Sequence, residues 1–158
     1  MALEDIINLV VTTLQGIPGS GGVLNYAPVA IRPEDIPTVF GGDQHIKVWG
    51  VTLDEAEPTL EQRIGNVEVL RKHRILFELW QYVTDLAVSE PATRALSEAA
   101  MTAVRRIIRT KPPSNIEYTE APNRVQFSKV LLGNTMLCHY CRHVWTVHEL
   151  IRTGITEI

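Results

Sequence analysis

Residues 44–85 read QHIKVWGVTLDEAEPTLEQRIGNVEVLRKHRILFELWQYVTD, a stretch that predicts one long β-hairpin with an acidic tip. One arm covers residues 45–53 and the other runs from about 67 to 83, with 54–61 between them. Strands in globular domains usually span about 3–10 residues, so the second arm is longer than a small core requires. A strand that extends beyond its own core usually contacts another chain. This stretch therefore favours assembly over catalysis.

The predicted tip is acidic and contains no basic residue. Its carboxylates are Asp54, Glu55, Glu57 and Glu61. They lack the alternating ligands, central glycine and terminal glutamate of an EF-hand calcium loop. We interpret residues 54–61 as a solvated or partner-facing loop, whose negative charge would also repel DNA.

The bulk composition indicates one ordinary globular domain over residues 1–158, with 45% apolar and 21% charged residues. The net charge of −3 provides no general positive field for nucleic-acid binding. No apolar run reaches the roughly 18 residues of a transmembrane helix, and the acidic N-terminus lacks the basic start of a signal peptide. Two cysteines are too few for a secreted disulfide framework, so synthesis in a reducing cytoplasm is expected.

The remaining pattern predicts two helices and four further extended pieces. Apolar spacing predicts a helix over 3–14, which Gly16 and Pro18 end. A glycine- and proline-rich segment, 17–43, is expected to hold short strands at 23–27 and 36–40. A second helix is expected to start at Ser89, Glu90 and Pro91 and to end near residue 110. Its predicted apolar stripe consists of Leu96, Ala99, Ala100, Ala103, Val104, Ile107 and Ile108.

A second hairpin is predicted near the end of the chain. Residues 125–132 and 135–150 form its strands and Gly133-Asn134 its turn, after a polar connection at 114–123. Helices and strands do not alternate regularly, which disfavours a parallel βαβ sheet. The predicted fold class is α+β, a mainly antiparallel sheet with a long hairpin and two principal helices packed on one face.

A metal site is the main chemical alternative. Cys138 and Cys141 form a C-x-x-C pair, and His143 follows. Zinc binds thiolate and imidazole ligands, but a zinc knuckle needs a tight turn between its cysteines. In a strand the side chains of 138 and 141 point to opposite faces, so we interpret the stretch as structural and assign no metal ligand.

Other motifs carry no recognised chemistry. The run Gly19-Ser20-Gly21-Gly22 lacks the lysine and the helix of a phosphate-binding loop and is interpreted as a turn. The basic groups at 71–74 and 105–111 are expected to pair with acidic surfaces of neighbouring subunits. Trp49 and Trp80 lie on facing arms of the hairpin, and either a core or an interface role suits them.

Two motifs near the start are VLNYAP at 23–28 and EDIPTVF at 34–40. They resemble the front end of tail terminator (tail completion) proteins of long-tailed bacteriophages. In that family an N-terminal helix leads to a short strand with a Tyr/Pro element, then to an [LI]-P-[AT]-V strand. A long hairpin, an amphipathic helix and a final strand pair follow. The chain has this order over most of its length, although the cysteine- and histidine-rich last strand departs from the family pattern.

The resemblance implies a non-enzymatic virion protein of the tail or neck, assembled in the host cytoplasm. Such proteins form a homohexameric ring that terminates the tail tube and joins it to the head-completion (connector) protein. DNA passes through the ring without sequence-specific binding. The family has no catalytic, cofactor-binding or metal-binding residues to carry over, and no membrane contact is implied. Another neck or tail-tube structural protein and a small zinc-binding domain are the alternatives.

Overall fold

The computed structural model describes residues 2–26, 28, 46–63, 66–110, 116–119, 125–133 and 136–153. Two helices and six strands lie within these ranges. In chain order they are α1 (Ala2–Gln15), β1 (Gly22–Leu24), β2 (Lys47–Arg63), β3 (Asn66–Tyr82), α2 (Leu86–Thr110), β4 (Ile116–Thr119), β5 (Val125–Leu132) and β6 (Met136–Thr153). The extended piece predicted at 36–40 lies outside the described residues.

The strands form one sheet in the order β1-β2-β3-β6-β4, and β5 also pairs with β6. β1 runs parallel to β2, while every other described pair is antiparallel. β5 pairs with the first half of β6 and β4 with its second half, so both lie along the same side of β6. The predicted α+β class with a mainly antiparallel sheet is confirmed. β4 was missed, because its four residues lie in a polar stretch that reads as a connection.

Both helices pack on one face of the sheet, as predicted. Their buried side chains and those of β2, β3 and β6 belong to a single hydrophobic cluster. It comprises Ile6, Ile7, Val10 and Leu14 of α1, Leu96, Ala100 and Val104 of α2, and Trp49, Val51, Ile75, Phe77, Leu79, Cys141, Trp145 and Val147 of the sheet. A smaller cluster covers the opposite face: Ile46, Val48, Trp80, Leu132 and Cys138. The two clusters lie on opposite faces because successive side chains of a strand point to opposite sides of the sheet.

The acidic segment is strand and not loop, which corrects the predicted hairpin. β2 continues to Arg63, whose register partner is Asn66 at the start of β3. A register shift between Leu53 and Glu55 leaves Asp54 as the extra residue of a β-bulge. Beyond it, Glu55 opposes Arg74 and Glu57 opposes Lys72. Cross-strand neighbours of opposite charge favour this register. The loop interpretation of residues 54–61 did not consider this pairing.

The predicted start of α2 is wrong by one turn. The helix begins at Leu86 and contains Pro91 in its interior. Asp85 caps it: its Oδ1 accepts a hydrogen bond from the Ala87 N–H at 3.1 Å, and its carbonyl accepts one from the Ser89 N–H at 2.7 Å. Aspartate is among the strongest N-cap residues, because its side chain satisfies donors that the first turn leaves unpaired.

Gly21 carries the first testable prediction. It has φ +80, and a Cβ added there would lie 2.2 Å from the Lys47 carbonyl oxygen. Gly21→Ala is therefore expected to lower the free energy of unfolding by about 2 kcal/mol or more, through backbone strain and overlap with β2. Chemical denaturation measures this. Gly16→Ala is the matched control, since its Cβ would meet the nearest atom at 3.5 Å. Equal losses in the two variants would contradict the account.

Candidate assembly surface

The long strands continue well past the described core. On β2 the outermost described member of the helix-covered cluster is Leu53, and the strand runs ten residues further to Arg63. At about 3.3 Å per residue, this adds roughly 30 Å. A compact chain of this size has a radius of gyration of only about 15 Å. The extension is therefore comparable to the width of the domain itself.

Three strands, and not two, form this extension. β6 pairs with β3 from Tyr82↔Cys138 to Val67↔Thr153, so it accompanies the hairpin almost to its turn. We call residues 54–63, 66–72 and 148–153 the arm. An isolated two-stranded hairpin is marginally stable in water, whereas a third strand supplies a second hydrogen-bonded ladder. The arm is consequently a three-stranded ribbon, which is more stable by itself than a two-stranded hairpin.

The charge of the arm is mixed, although residues 54–61 alone are acidic. The three segments of the arm together contain six acidic and four basic residues. The register sets the basic stretch of β3 beside the acidic stretch of β2 within the same chain. The basic group at 71–74 was predicted to pair with neighbouring subunits. Acidic residues of β2 in the same chain are an alternative partner for it.

The outer edge of β2 is protected against strand addition. β1 pairs only with residues 48–50, and no other described strand lies beside β2 further along. Pro58 lies in this edge portion, and proline is tolerated in sheets at edges, where it removes a ladder donor. Acidic residues flank it. Proline and charge are the means by which natural proteins prevent edge-to-edge aggregation.

A polar seam joins α2 to the sheet. Ser89, Thr93 and Ser97 lie at i, i+4 and i+8 on the buried side of the helix. Ser89 Oγ lies 2.8 Å from His139 Nε2, Thr93 Oγ1 lies 3.0 Å from Gln81 Oε1, and Ser97 Oγ lies 2.6 Å from His143 Nε2. Sequence reasoning missed this seam, because it followed the apolar stripe and interpreted Ser89 only as part of a helix start. Small hydroxyl residues repeated every four positions were the available signal.

His143 is the most enclosed member of the seam. Its Nδ1 lies 3.1 Å from the Phe77 carbonyl oxygen, which can only accept, so Nδ1 carries the proton and Ser97 donates to Nε2. Its ring stacks on Phe77 at 4.6 Å and 5°. Burial lowers the pKa of His143 to about 4, although its hydrogen bond to Phe77 opposes the shift. Ser97 and His143 are both fully buried, so this serine–histidine pair is structural.

The two cysteines lie on opposite faces, as predicted. Cys141 belongs to the helix-covered cluster and Cys138 to the cluster beneath the sheet. Burial raises the pKa of the Cys138 thiol to about 11 and that of Cys141 to about 12. Metal binding requires thiolates, which such environments disfavour. Over the described ranges, no group of three or more histidine, cysteine or acidic side chains is arranged to hold a metal ion.

Both hairpin tryptophans are buried within the chain. Trp49 is fully enclosed, with its ring 6.1 Å from Phe77 and 5.5 Å from His143. Trp80 lies in the opposite cluster, 5.4 Å from the ring of Tyr140. The core interpretation therefore fits both tryptophans better than the interface interpretation. On the same face Tyr140 donates a hydrogen bond to Glu78, and burial raises the pKa of its phenol.

One cavity opens between α2, β5 and β6. It has a volume of about 230 Å³, and its wall includes Thr93, Arg94, Phe127, Lys129 and His139. Lys129 Nζ lies 3.0 Å from Glu90 Oε1 at its rim. His139 lines the cavity but Ser89 does not, so the Ser89 hydroxyl is not presented there as a nucleophile.

Neither helix, over the residues that are described, is long and apolar enough to span a membrane. Comparison with protein-family models gives no match, and no curated protein matches the chain either.

Proposed function

We propose that this chain is a structural subunit of a phage tail terminator ring. In this role it assembles as a homohexamer at the head-proximal end of the tail. There it stops polymerisation of the tail tube and offers a face to the head-completion protein. DNA passes through its lumen without sequence-specific contacts. The single observation that supports this most strongly is the arm, a three-stranded ribbon extending about 30 Å beyond Leu53.

A ribbon of this kind suits contact with a neighbouring subunit. Its strands continue the central strands β3 and β6, whose buried residues anchor it in the core. A contact between the arm of one subunit and a different surface of the next is heterologous, and heterologous contacts close into rings when the rotation permits. Isologous pairing would stop at two subunits.

The protected edge of β2 agrees with a ring better than with a fibre. An arm with an open, apolar edge would add strands without limit. Pro58 and the flanking carboxylates oppose such addition. Contacts made through the faces of the arm would instead have a defined number per subunit.

A tail-tube or other neck protein is the alternative role on the same fold. Such a subunit would use its arm to contact subunits in successive rings and would polymerise into tubes by itself. The chain is expected to form single rings and no tubes, because a terminator must present a second face to which no further ring of the same kind binds.

Tube growth tests the proposed function. The tail-tube protein of the same virion is polymerised with increasing amounts of the chain, and tube lengths are measured by electron microscopy. We expect tubes to shorten as the chain is added, each with one additional ring at one end. Unchanged tube length, or incorporation of the chain along the tube, would refute the terminator role.

A further inference from the structure

β5 is exposed on both faces, unlike the other strands with described side chains along their length. The four consecutive residues 126–129 are exposed, and so is Leu131. Because neighbouring side chains in a strand point to opposite faces, this pattern shows that neither face is covered there. β5 pairs with β6 on one side and with no other described strand. Among the described strands, β5 therefore forms a free edge of the sheet.

This edge lacks the protection found along β2. β5 contains no proline, and its one charged residue is Lys129. Lysine on an edge normally discourages pairing by pointing into solvent. Here its ammonium group pairs with Glu90 of α2 at 3.0 Å, which draws the side chain toward the helix. The backbone of β5 stays accessible to another strand.

The cavity beside β5 adds a preference for charge. Phe127 and Lys129 share the face toward α2 and line the cavity together with Arg94 and Glu90. Two cations therefore face one carboxylate. Lys129 chiefly, and Arg94 to a smaller extent, hold the pKa of Glu90 below its usual value. A second carboxylate at this place would balance the charge.

The exposed apolar side chains complete the surface. Phe127 is 52% exposed and Leu131 is 59% exposed. They lie four residues apart, on the same face of the strand and on either side of Lys129. A strand added to β5 would place alternate side chains beside Phe127, the cavity and Leu131 in turn. A segment whose residues i, i+2 and i+4 are apolar, acidic and apolar therefore matches these three positions.

We infer that β5 accepts an extended segment of a partner protein as an additional strand, and that Arg94 and Lys129 select a segment with a carboxylate between apolar side chains. In strand addition, main-chain hydrogen bonds supply affinity and the alternate side chains supply specificity. β5 and its cavity carry this inference by themselves, independently of ring formation through the arm.

Two blocked peptides that differ in one residue test the charge preference. They are Thr-Thr-Val-Thr-Glu-Thr-Val-Thr-Thr, which places Val, Glu and Val on one face of the strand, and the same sequence with Lys at its centre. Binding to the isotope-labelled chain is measured by NMR titration, with amide exchange locating the contact. We expect the Glu peptide to bind roughly five- to tenfold more tightly, and to protect those amides of residues 126–129 that point away from β6. Equal affinities, binding weaker than about 1 mM for both, or protection elsewhere would overturn the inference.

Arg94→Glu is the decisive variant, with Arg105→Glu as its matched control. Both residues are exposed on α2, but only Arg94 lines the cavity. Arg94→Glu should reverse the preference toward the Lys peptide, which loss of structure alone would not do. Arg105→Glu should preserve the preference for Glu. Dimerisation of the free chain through β5 would also overturn the inference, because the occupant would then be a second copy.

Discussion

Removing the distal part of the arm is expected to abolish ring assembly and leave the core folded. In the shortened variant, Asn-Gly replaces residues 58–71. Glu57 and Lys72 are register partners, so the new turn joins two residues that already face each other. Asn-Gly is the preferred two-residue connection between antiparallel strands. The retained strands still include every β2 and β3 member of the described hydrophobic clusters.

The expected result is a monomer at concentrations at which the wild-type chain forms rings. The removed residues contribute the β2 and β3 ends of the ribbon, and residues 149–153 of β6 lose their partners on β3. Sedimentation velocity measures assembly, while near-UV circular dichroism reports the packing of Trp49 and Trp80. Ile64→Asn is the control, since it places Asn-Gly before Asn66 without shortening either strand. A shortened variant that still forms rings would show that ring assembly does not need the distal part of the arm.

Acidification is expected to destabilise the chain through His143. The folded protein holds this imidazole neutral, with a pKa of about 4 against an ordinary 6.5, whereas the unfolded chain binds the proton readily. The unfolded state therefore binds more protons between these values, and stability falls as pH falls through that window. Above about pH 6.5 the contribution is fully present. The difference corresponds to roughly 3 kcal/mol of unfolding free energy.

The double variant Ser97→Ala/His143→Phe isolates this contribution. It replaces the stacked imidazole by a ring that cannot titrate and removes the hydroxyl that would lose its acceptor. Urea denaturation between pH 7 and 4 should show a steeper loss of stability for the wild type than for the variant. An NMR titration should also find the His143 ring neutral down to about pH 4. Parallel stability curves, or titration of His143 near pH 6.5, would contradict the buried neutral state.

The sequence determined the order of elements better than their ends. β5 begins and ends where turn chemistry and alternation predicted, because Gly133 supplies the positive φ of 55 that the following turn requires. The start of α2 was mispredicted, because Pro91 indicated a first turn at residues 89–91. The stronger cap is Asp85, and the helix begins directly after it. Local propensity alone does not decide between two valid caps.

The functional features depended on pairing between distant residues, which a single sequence does not display. Residues 54–61 looked like a loop because carboxylates and Pro58 are uncommon in strands. Only the register with β3 reveals that the basic stretch lies opposite them. The polar seam likewise joins Ser89 to His139 across 50 positions and Ser97 to His143 across 46 positions. The strand period did predict that Cys138 and Cys141 face opposite sides.

The mass of the wild-type assembly tests the central claim most directly. Native mass spectrometry, with and without tail tubes, is combined with electron microscopy of the same samples. We predict closed rings of six copies of the 17.7 kDa chain, at least when tubes are present, and no longer polymer of the chain itself. A strict monomer in the presence of tubes, a two-fold dimer or an open-ended fibre would contradict it.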